Sequence, residues 1–499
     1  MIFGKEFGMS VNSMVILLIC IFAFIPLFLA ELARNKSIPT ISDFFLQGRN
    51  MKIFPMYATV FATWMSAFAF MGAIAYFYEQ GPIYMTTIGW DALFAVLFYA
   101  IGRRLWFYGK RFRYTTPTDF FDDIYGSRKL SMIVTAIMLV FTMVYVQVQM
   151  IGGLFLIQIV TDGYISWRVS AFIFFAILVI YLWAGGLRAV ALTDTFYGVL
   201  IVAAILGCGL FLMKIAGGME TMFEGVIEDN INNVTLGGKS GAGRLGMWLS
   251  LFLVVPLGAF MGPQIWIRNF AAKSERNFEL LPFLLCLSSI ICLGTLFAGS
   301  ASILLNTQDI RGDTLIVNLM LQYANPLWCT FIFIGISAAI LSTANSQIHA
   351  MAAVYTIDIH KKYINKNIPE HKLLSVAKWS VLFLSIIAYV LILITPQSVF
   401  SLGIISFGGM MQLIVSVVGA LFWKHSTAKG AIIGLLAGEI SFFFTILITG
   451  LNSSYCAVIG LFINAVLFIA ISSLHKGKNF AGEKIDAYKE VFGVHFKRT

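Results

Sequence analysis

The stretch AAILSTANSQ, residues 338–347, interrupts a run, 327–354, that is otherwise apolar enough to cross a bilayer. Five of the six residues from Ser342 to Gln347 are polar. Without water each unpaired hydroxyl or amide costs free energy, so this density calls for packing partners or a polar ligand. Helical spacing puts Ala339, Ser342, Thr343 and Ser346 on one face, with Asn345 at its edge. Two readings of that face stay open. Ser and Thr can back-bond to the preceding turn's carbonyls in a closely packed helix, or their oxygens can be offered to a small hard cation.

The rest of the chain narrows the setting. Of 499 residues 59% are hydrophobic and only 12% charged, with mean hydropathy +0.87, which excludes an ordinary soluble protein. Apolar stretches near the roughly 20 residues needed to span a bilayer recur along the chain. Thirteen spans are predicted, at 11–31, 53–77, 84–107, 130–160, 168–183, 189–214, 246–267, 278–302, 327–354, 378–395, 401–423, 430–450 and 455–474. The polar tail, 475–499, is too short to bury a core. The six cysteines lie within or at the ends of apolar runs, without metal-ligand spacing, and read as core residues.

The net charge of +10 raises the question of nucleic acid, and the positions of the charges answer it. Assigned to alternate loops, 28 of the 34 Lys and Arg fall on one side and 6 on the other. The crowded side is cytoplasmic by the positive-inside rule, which puts the N-terminus outside and the C-terminus in the cytoplasm. The partners expected are a lipid bilayer and a small-molecule solute, with no nucleic acid and no obligatory protein partner evident.

Polar residues at membrane depth are functional candidates by default. The ionisable ones are Asp91, Asp194, His349 and Glu439. Arg268 is assigned to a loop, so no Lys or Arg is expected at mid-depth, and an anionic solute would be held by amides, hydroxyls and helix ends. The second span reads VFATWMSAFAFMG (60–72), small and hydroxylic around Trp64, without an internal Gly or Pro. No break is therefore expected from its sequence. The seventh span reads PLGAFMGPQIW (256–266), where Gly258, Gly262 and Pro263 weaken the hydrogen-bond ladder.

No enzyme is indicated. TLGGKSGAG (235–243) contains GKS, but Asn233 stands where a phosphate loop needs its first Gly, and HExxH, GxSxG and CxxC do not occur.

Four further stretches carry a resemblance. DFFLQGRNM (43–51), AGGLRAVALTDT (184–195), IRNFAAKSERN (267–277) and LFWKHSTAKGAIIGLLAG (421–438) are similar, in this order, to motifs of the sodium:solute symporters. One departure is Leu182, where the second motif usually has Ser or Thr. The resemblance implies an all-α integral membrane protein of about 13 transmembrane helices with a LeuT-type core of two inverted five-helix repeats. These would occupy 53–214 and 246–423, after an N-terminal extra helix, 11–31, and before two C-terminal helices, 430–474, and a cytoplasmic tail, 475–499.

It also implies a sodium ion between the first and eighth core helices, held by the carbonyls of Ala62, Met65 and Ala339 and the hydroxyls of Ser342 and Thr343. Asn345 and Ser346 would form a second, more cytoplasmic site, and Asp194 would lie on the ion's way in. The family's substrate region falls on Thr63, Trp64 and Ser66, on Asp91, and on Gln147, Gln264 and Gln412. Gln147 stands where a sialic acid-transporting member has a carboxylate-binding Arg.

Asp91 would favour an amine, a zwitterion or a proton-linked solute, whereas residues 66–81 resemble members that move small monocarboxylates. His349 reads as a packing residue on the cytoplasmic side. The implied function is sodium-coupled symport of a small organic solute, a monocarboxylate or amino acid, by alternating access in the cell membrane. The alternatives are a proton-coupled symporter using Asp91 or His349, and a sensor or channel of the same fold.

Overall fold

The computed structural model describes residues 11–35, 38–81, 86–183, 186–235, 244–305, 310–394, 398–474 and 485–486. The stretch 236–243 and nearly all of the tail lie outside the described residues. In hydrocarbon a chain satisfies its backbone by helix or closed barrel, and here the apolar runs without period-two alternation become helices. Among the described residues the pairing outside helices is limited to one isolated bridge, Met51 with Ala272.

Among the described residues nine helices are long and apolar enough to cross a membrane. They are α1 (Val11–Arg34), α4 (Arg128–Val160), α6 (Gly186–Ile215), α8 (Arg276–Leu304), α9 (Pro326–Ile364), α10 (Glu370–Ile392), α11 (Val399–Phe422), α12 (Ala428–Thr449) and α13 (Ser453–Leu474). Two bent pairs also qualify, α2a (Ile53–Trp64) with α2b (Phe68–Gln80) and α7a (Leu245–Met261) with α7b (Pro263–Ala271). The expected thirteen would be reached by adding α3, built from Thr86–Leu97, Phe98–Gly102 and Arg103–Phe112, and α5 (Trp167–Trp183), whose apolar part is shorter.

Helix ends follow local chemistry. Asn325 accepts from the Trp328 N–H at the start of α9, with Pro326 at its first position, and Ser398 and Thr427 cap α11 and α12 in the same way. The 39 residues of α9 correspond to about 58 Å at helical rise, so its polar end runs past the bilayer.

Both bent pairs turn by 56°. The break in α7 was legible, since Gly262 is extended (ψ 138) and Pro263 opens the next helix without an N–H to satisfy. The break in α2 was not, because nothing between Trp64 and Phe68 is a helix breaker. Its freed donors are met by side chains instead. The Ala67 N–H donates to Gln149 Oε1 at 3.1 Å, and the Phe68 N–H donates to Ser66 Oγ at 3.1 Å. Gly258 weakens α7 on sequence grounds, but in the fold it lets α11 approach. A Cβ there would lie 2.1 Å from the Phe407 carbonyl oxygen.

Three of the four motifs meet in the fold. Asp43 accepts from Arg188 at 2.7 Å, tying the first to the second. Met51 exchanges backbone hydrogen bonds with Ala271 and Lys273, tying the first to the third. Arg49 donates to the carbonyls of Tyr114, Gly109 and Phe270, and so joins the end of α3 to that of α7b. Burial, aided by Arg113 and opposed by Asp119, pushes its pKa down to about 10, which leaves it cationic at neutral pH.

Candidate functional site

Because α2 stops at Trp64, its last carbonyls have no partner one turn on, and α9 presents hydroxyls to them. Ser342 Oγ lies 2.8 Å from the Ala62 carbonyl oxygen and 3.1 Å from that of Ala339. Thr343 Oγ1 lies 3.4 Å from the Ala62 oxygen and 3.1 Å from that of Thr63. Both side chains are fully buried. Four of the five groups expected around an ion are thus gathered where α2a meets α9, and Met65 stands at the break with non-helical φ −82 and ψ 89. The arrangement offers neutral oxygens and no full negative charge. Such a set can replace part of the hydration shell of a small cation and release it again.

One helical turn farther along α9 the chemistry changes sign. Arg268, expected in a loop, is fully buried on α7b and points into the core. Its Nη2 donates to Ser346 Oγ (2.5 Å), Thr59 Oγ1 (2.7 Å) and Thr63 Oγ1 (2.9 Å), its Nε donates to Thr59 Oγ1, and its Nη1 donates to the Gln264 carbonyl. It also lies 3.5 Å from the Asp194 carboxylate, which accepts from Thr59 Oγ1 at 2.5 Å. The placement of Arg268 in an exposed loop is therefore corrected to a buried cation on a helix. Arg268 sits only one residue into its motif, and at the edge of an apolar run a sequence cannot tell a buried end from an exposed one. Removing it from the loop count leaves 27 to 6, and the charge asymmetry stands. Ser346 and Asp194 are brought together, but around a guanidinium, while Asn345 Oδ1 is buried without a hydrogen bond.

The substrate candidates divide. Trp64 and Asp91 line a small cavity of about 40 Å³ beside the α2 break, with Trp64 Nε1 donating to Asp91 Oδ1 at 2.6 Å. Ser66 Oγ hydrogen-bonds the Tyr145 hydroxyl at 2.8 Å, and Tyr145 lines the same cavity. Thr63 turns instead to Arg268 and Ser346. Gln147, Gln264 and Gln412 are buried but do not line that cavity. Gln412 donates to the Ala457 carbonyl, and its own carbonyl accepts from Asn464, so it fastens α11 to α13. His349 packs between Phe44 and Phe45, with ring centroids 5.4 Å away in each case.

Residues that the sequence did not single out carry much of this site. Thr59 bridges Asp194 and Arg268, Gln149 holds the α2 break open, and Tyr145 and Trp90 wall the cavity. A signal existed for Gln149, a buried amide two residues from Gln147. Tyr145 and Trp90 are aromatic residues among many, and their role depends on packing alone.

The sodium:solute symporter family model matches residues 44–438. The chain is 25% identical to the sodium/pantothenate symporter of Haemophilus influenzae over 407 residues, covering 80% of this chain and 83% of that protein. It is 24% identical to the sodium/proline symporter of Salmonella typhimurium over 457 residues, covering 87% and 88%. Among solved structures, the substrate-bound outward-open state of a Na+-coupled sialic acid symporter superposes with TM-score 0.81 at 18% identity, covering 94% of this chain and 98% of that one. The α2 and α7 breaks, the oxygens facing one another between α2a and α9, and a family match over most of the chain lead to one conclusion: this multi-pass membrane protein belongs to the sodium:solute symporter family.

Proposed function

We propose that the protein imports a small organic solute, of amino-acid or monocarboxylate size, by coupling it to sodium through alternating access. Sodium is the co-transported ion here and not a resident cofactor. It would be held by the carbonyls of Ala62, Met65 and Ala339 and the hydroxyls of Ser342 and Thr343. The observation that carries this reading is Ser342 Oγ at 2.8 Å from the Ala62 oxygen, at the end of a helix broken without any breaker residue. An ion at that point joins α2a to α9, and so favours the conformation in which the adjoining cavity is formed. Its loss to the cytoplasm loosens the same contact and lets the solute leave.

The second group, Asn345, Ser346 and Asp194, is proposed to work without a second sodium, because Arg268 already supplies a positive charge between Ser346 and Asp194. The N-terminus is taken to face outward and the C-terminus the cytoplasm, following the charge asymmetry. The two repeats are taken as 53–214 and 246–423, each opening on one of the two equally bent helices.

The test is a thermal-shift measurement on the full chain in nanodiscs, in sodium chloride against potassium chloride at equal ionic strength. A higher melting temperature in sodium, abolished in Ser342→Ala/Thr343→Ala, is expected. Equal melting in the two salts, with solute uptake driven by a proton gradient alone, would overturn the reading.

A further inference from the structure

The cavity beside the α2 break has one charged wall, and that wall is acidic. Among the described residues its lining includes Trp64, Phe68, Trp90, Tyr145 and Phe407, with Asp91 between them, and no Lys, Arg or His. Asp91 is 4% exposed. Its Oδ1 accepts from Trp64 Nε1, and Ser289 is a second neutral hydrogen-bonding partner of the carboxylate. The rings are fixed by one another: Trp64 stacks on Phe94 at 4.3 Å, Phe68 on Trp90 at 6.2 Å, and Tyr145 leans on Phe407 at 4.6 Å between centroids. Arg268, the buried cation of the core, is committed to Asp194, Ser346 and two threonines on the α9 side.

A buried carboxylate with neutral donors alone beside it is stable only against a positive partner or a proton. Aromatic faces add an electrostatic preference of the same sign, since their negative quadrupoles attract cations and repel anions. A free monocarboxylate would bring a second negative charge to Asp91 and meet no donor cation there. An ionised Asp91 thus sets apart the two substrate classes that the sequence left open, and favours the one that carries a positive charge.

We infer that the transported solute carries a cationic nitrogen, an ammonium or a quaternary amine, which docks against Asp91 inside this aromatic enclosure. The inference rests on the symporter reading above and narrows its substrate class. A carboxylate elsewhere on the same molecule is compatible with it, and a carboxylate alone is not.

The test uses matched probes that differ in the nitrogen. L-proline is paired with cyclopentanecarboxylate, glycine betaine with 3,3-dimethylbutanoate, and n-propylamine with propionate. Melting of the full chain is followed in sodium chloride and in potassium chloride, potassium being chosen because organic replacement cations are themselves amines. In at least one pair the nitrogen-bearing member should raise the melting temperature in sodium while its partner does not. Asp91→Asn should lower the apparent affinity for that member by about tenfold or more, and leave the shift produced by sodium alone in place.

Stabilisation by the carboxylates equal to or above that by the amines would overturn the inference. So would retention of the preference in Asp91→Asn, or the absence of any shift with a nitrogen-bearing probe while sodium still stabilises. Should Asp91→Asn not fold, the paired probes on the unaltered chain decide the question alone. Loss of the sodium shift itself would strike the underlying symporter reading instead.

Discussion

Arg268 and Asp194 form an ion pair at 3.5 Å in which each side chain is only 1% exposed, and Thr59 hydrogen-bonds both. Taking one charge away strands the other in a dry site, at a cost of about 3–5 kcal/mol. Removing both at once leaves neutral groups that thread the same space. Arg268→Met and Asp194→Asn singly should therefore each lower the melting temperature steeply, and the double variant should recover a large part of the loss. If the guanidinium does the work of a second ion, sodium stabilisation of the unaltered chain should follow a Hill coefficient of about 1. A coefficient near 2 would show that a second sodium shares the site with Arg268.

Ser342 and Thr343 supply two of the five oxygens assigned to sodium. A hydrogen-bonding group directed at a charge contributes about 1.5–3 kcal/mol, so Ser342→Ala or Thr343→Ala alone should weaken sodium binding by roughly tenfold or more. The concentration of sodium that gives half the maximal thermal shift measures this directly. Val at 343 should behave like Ala in spite of filling the space, which separates loss of the oxygen from loss of packing. Unchanged half-saturation in both variants would remove these residues from the ion site.

The α2 break is held by Gln149 and Ser66, not by a breaker residue. Gln149→Leu leaves the buried Ala67 N–H without its acceptor, at a cost of about 1–3 kcal/mol, and favours rewinding of α2 through Met65. Lower stability should then come with weaker sodium stabilisation, since rewinding withdraws the Ala62 carbonyl into the helix. Gln149→Glu keeps an acceptor and should retain sodium sensitivity better than Gln149→Leu. Both are read from melting curves in sodium and potassium chloride.

This break marks the limit of what the sequence discloses. Hydropathy and loop charge located the apolar segments because each is a local sum, and Gly262-Pro263 announced its own bend because the cause lies in those two residues. The bend at Met65 is held from far along the chain, by the acceptor that Gln149 offers to Ala67, 82 residues before it. Arg268 was misplaced for a similar reason: its burial is decided by Thr59, Thr63 and Asp194 on two other helices. The polar run on α9 was conspicuous, because hydroxyls within an apolar helix stand out by composition. The partners of that run could be named only through the resemblance, and Gln412 went to the cavity on that basis, although a buried amide can equally well fasten one helix to another.

Asp313 lies between α8 and α9 and accepts from the Val399 N–H through both oxygens, at 3.3 and 3.4 Å, at the start of α11. Burial pushes its carboxyl above the ordinary aspartate range, and this outweighs the opposing pull of Arg311 at 3.3 Å and of the Val399 N–H. Glu79, at the end of α2b, faces the same corner. A carboxyl raised on folding binds its proton more tightly in the folded state. Its contribution is therefore fully present below the unfolded pKa and is lost as pH rises through the folded value. The melting temperature should fall by a small amount between mildly acidic and neutral pH, and Asp313→Asn should flatten that slope because the amide does not titrate. The amide oxygen can still accept from Val399, so the substitution should cost little at pH 7, within about 1 kcal/mol. An unaltered slope in Asp313→Asn would assign the pH dependence to another group.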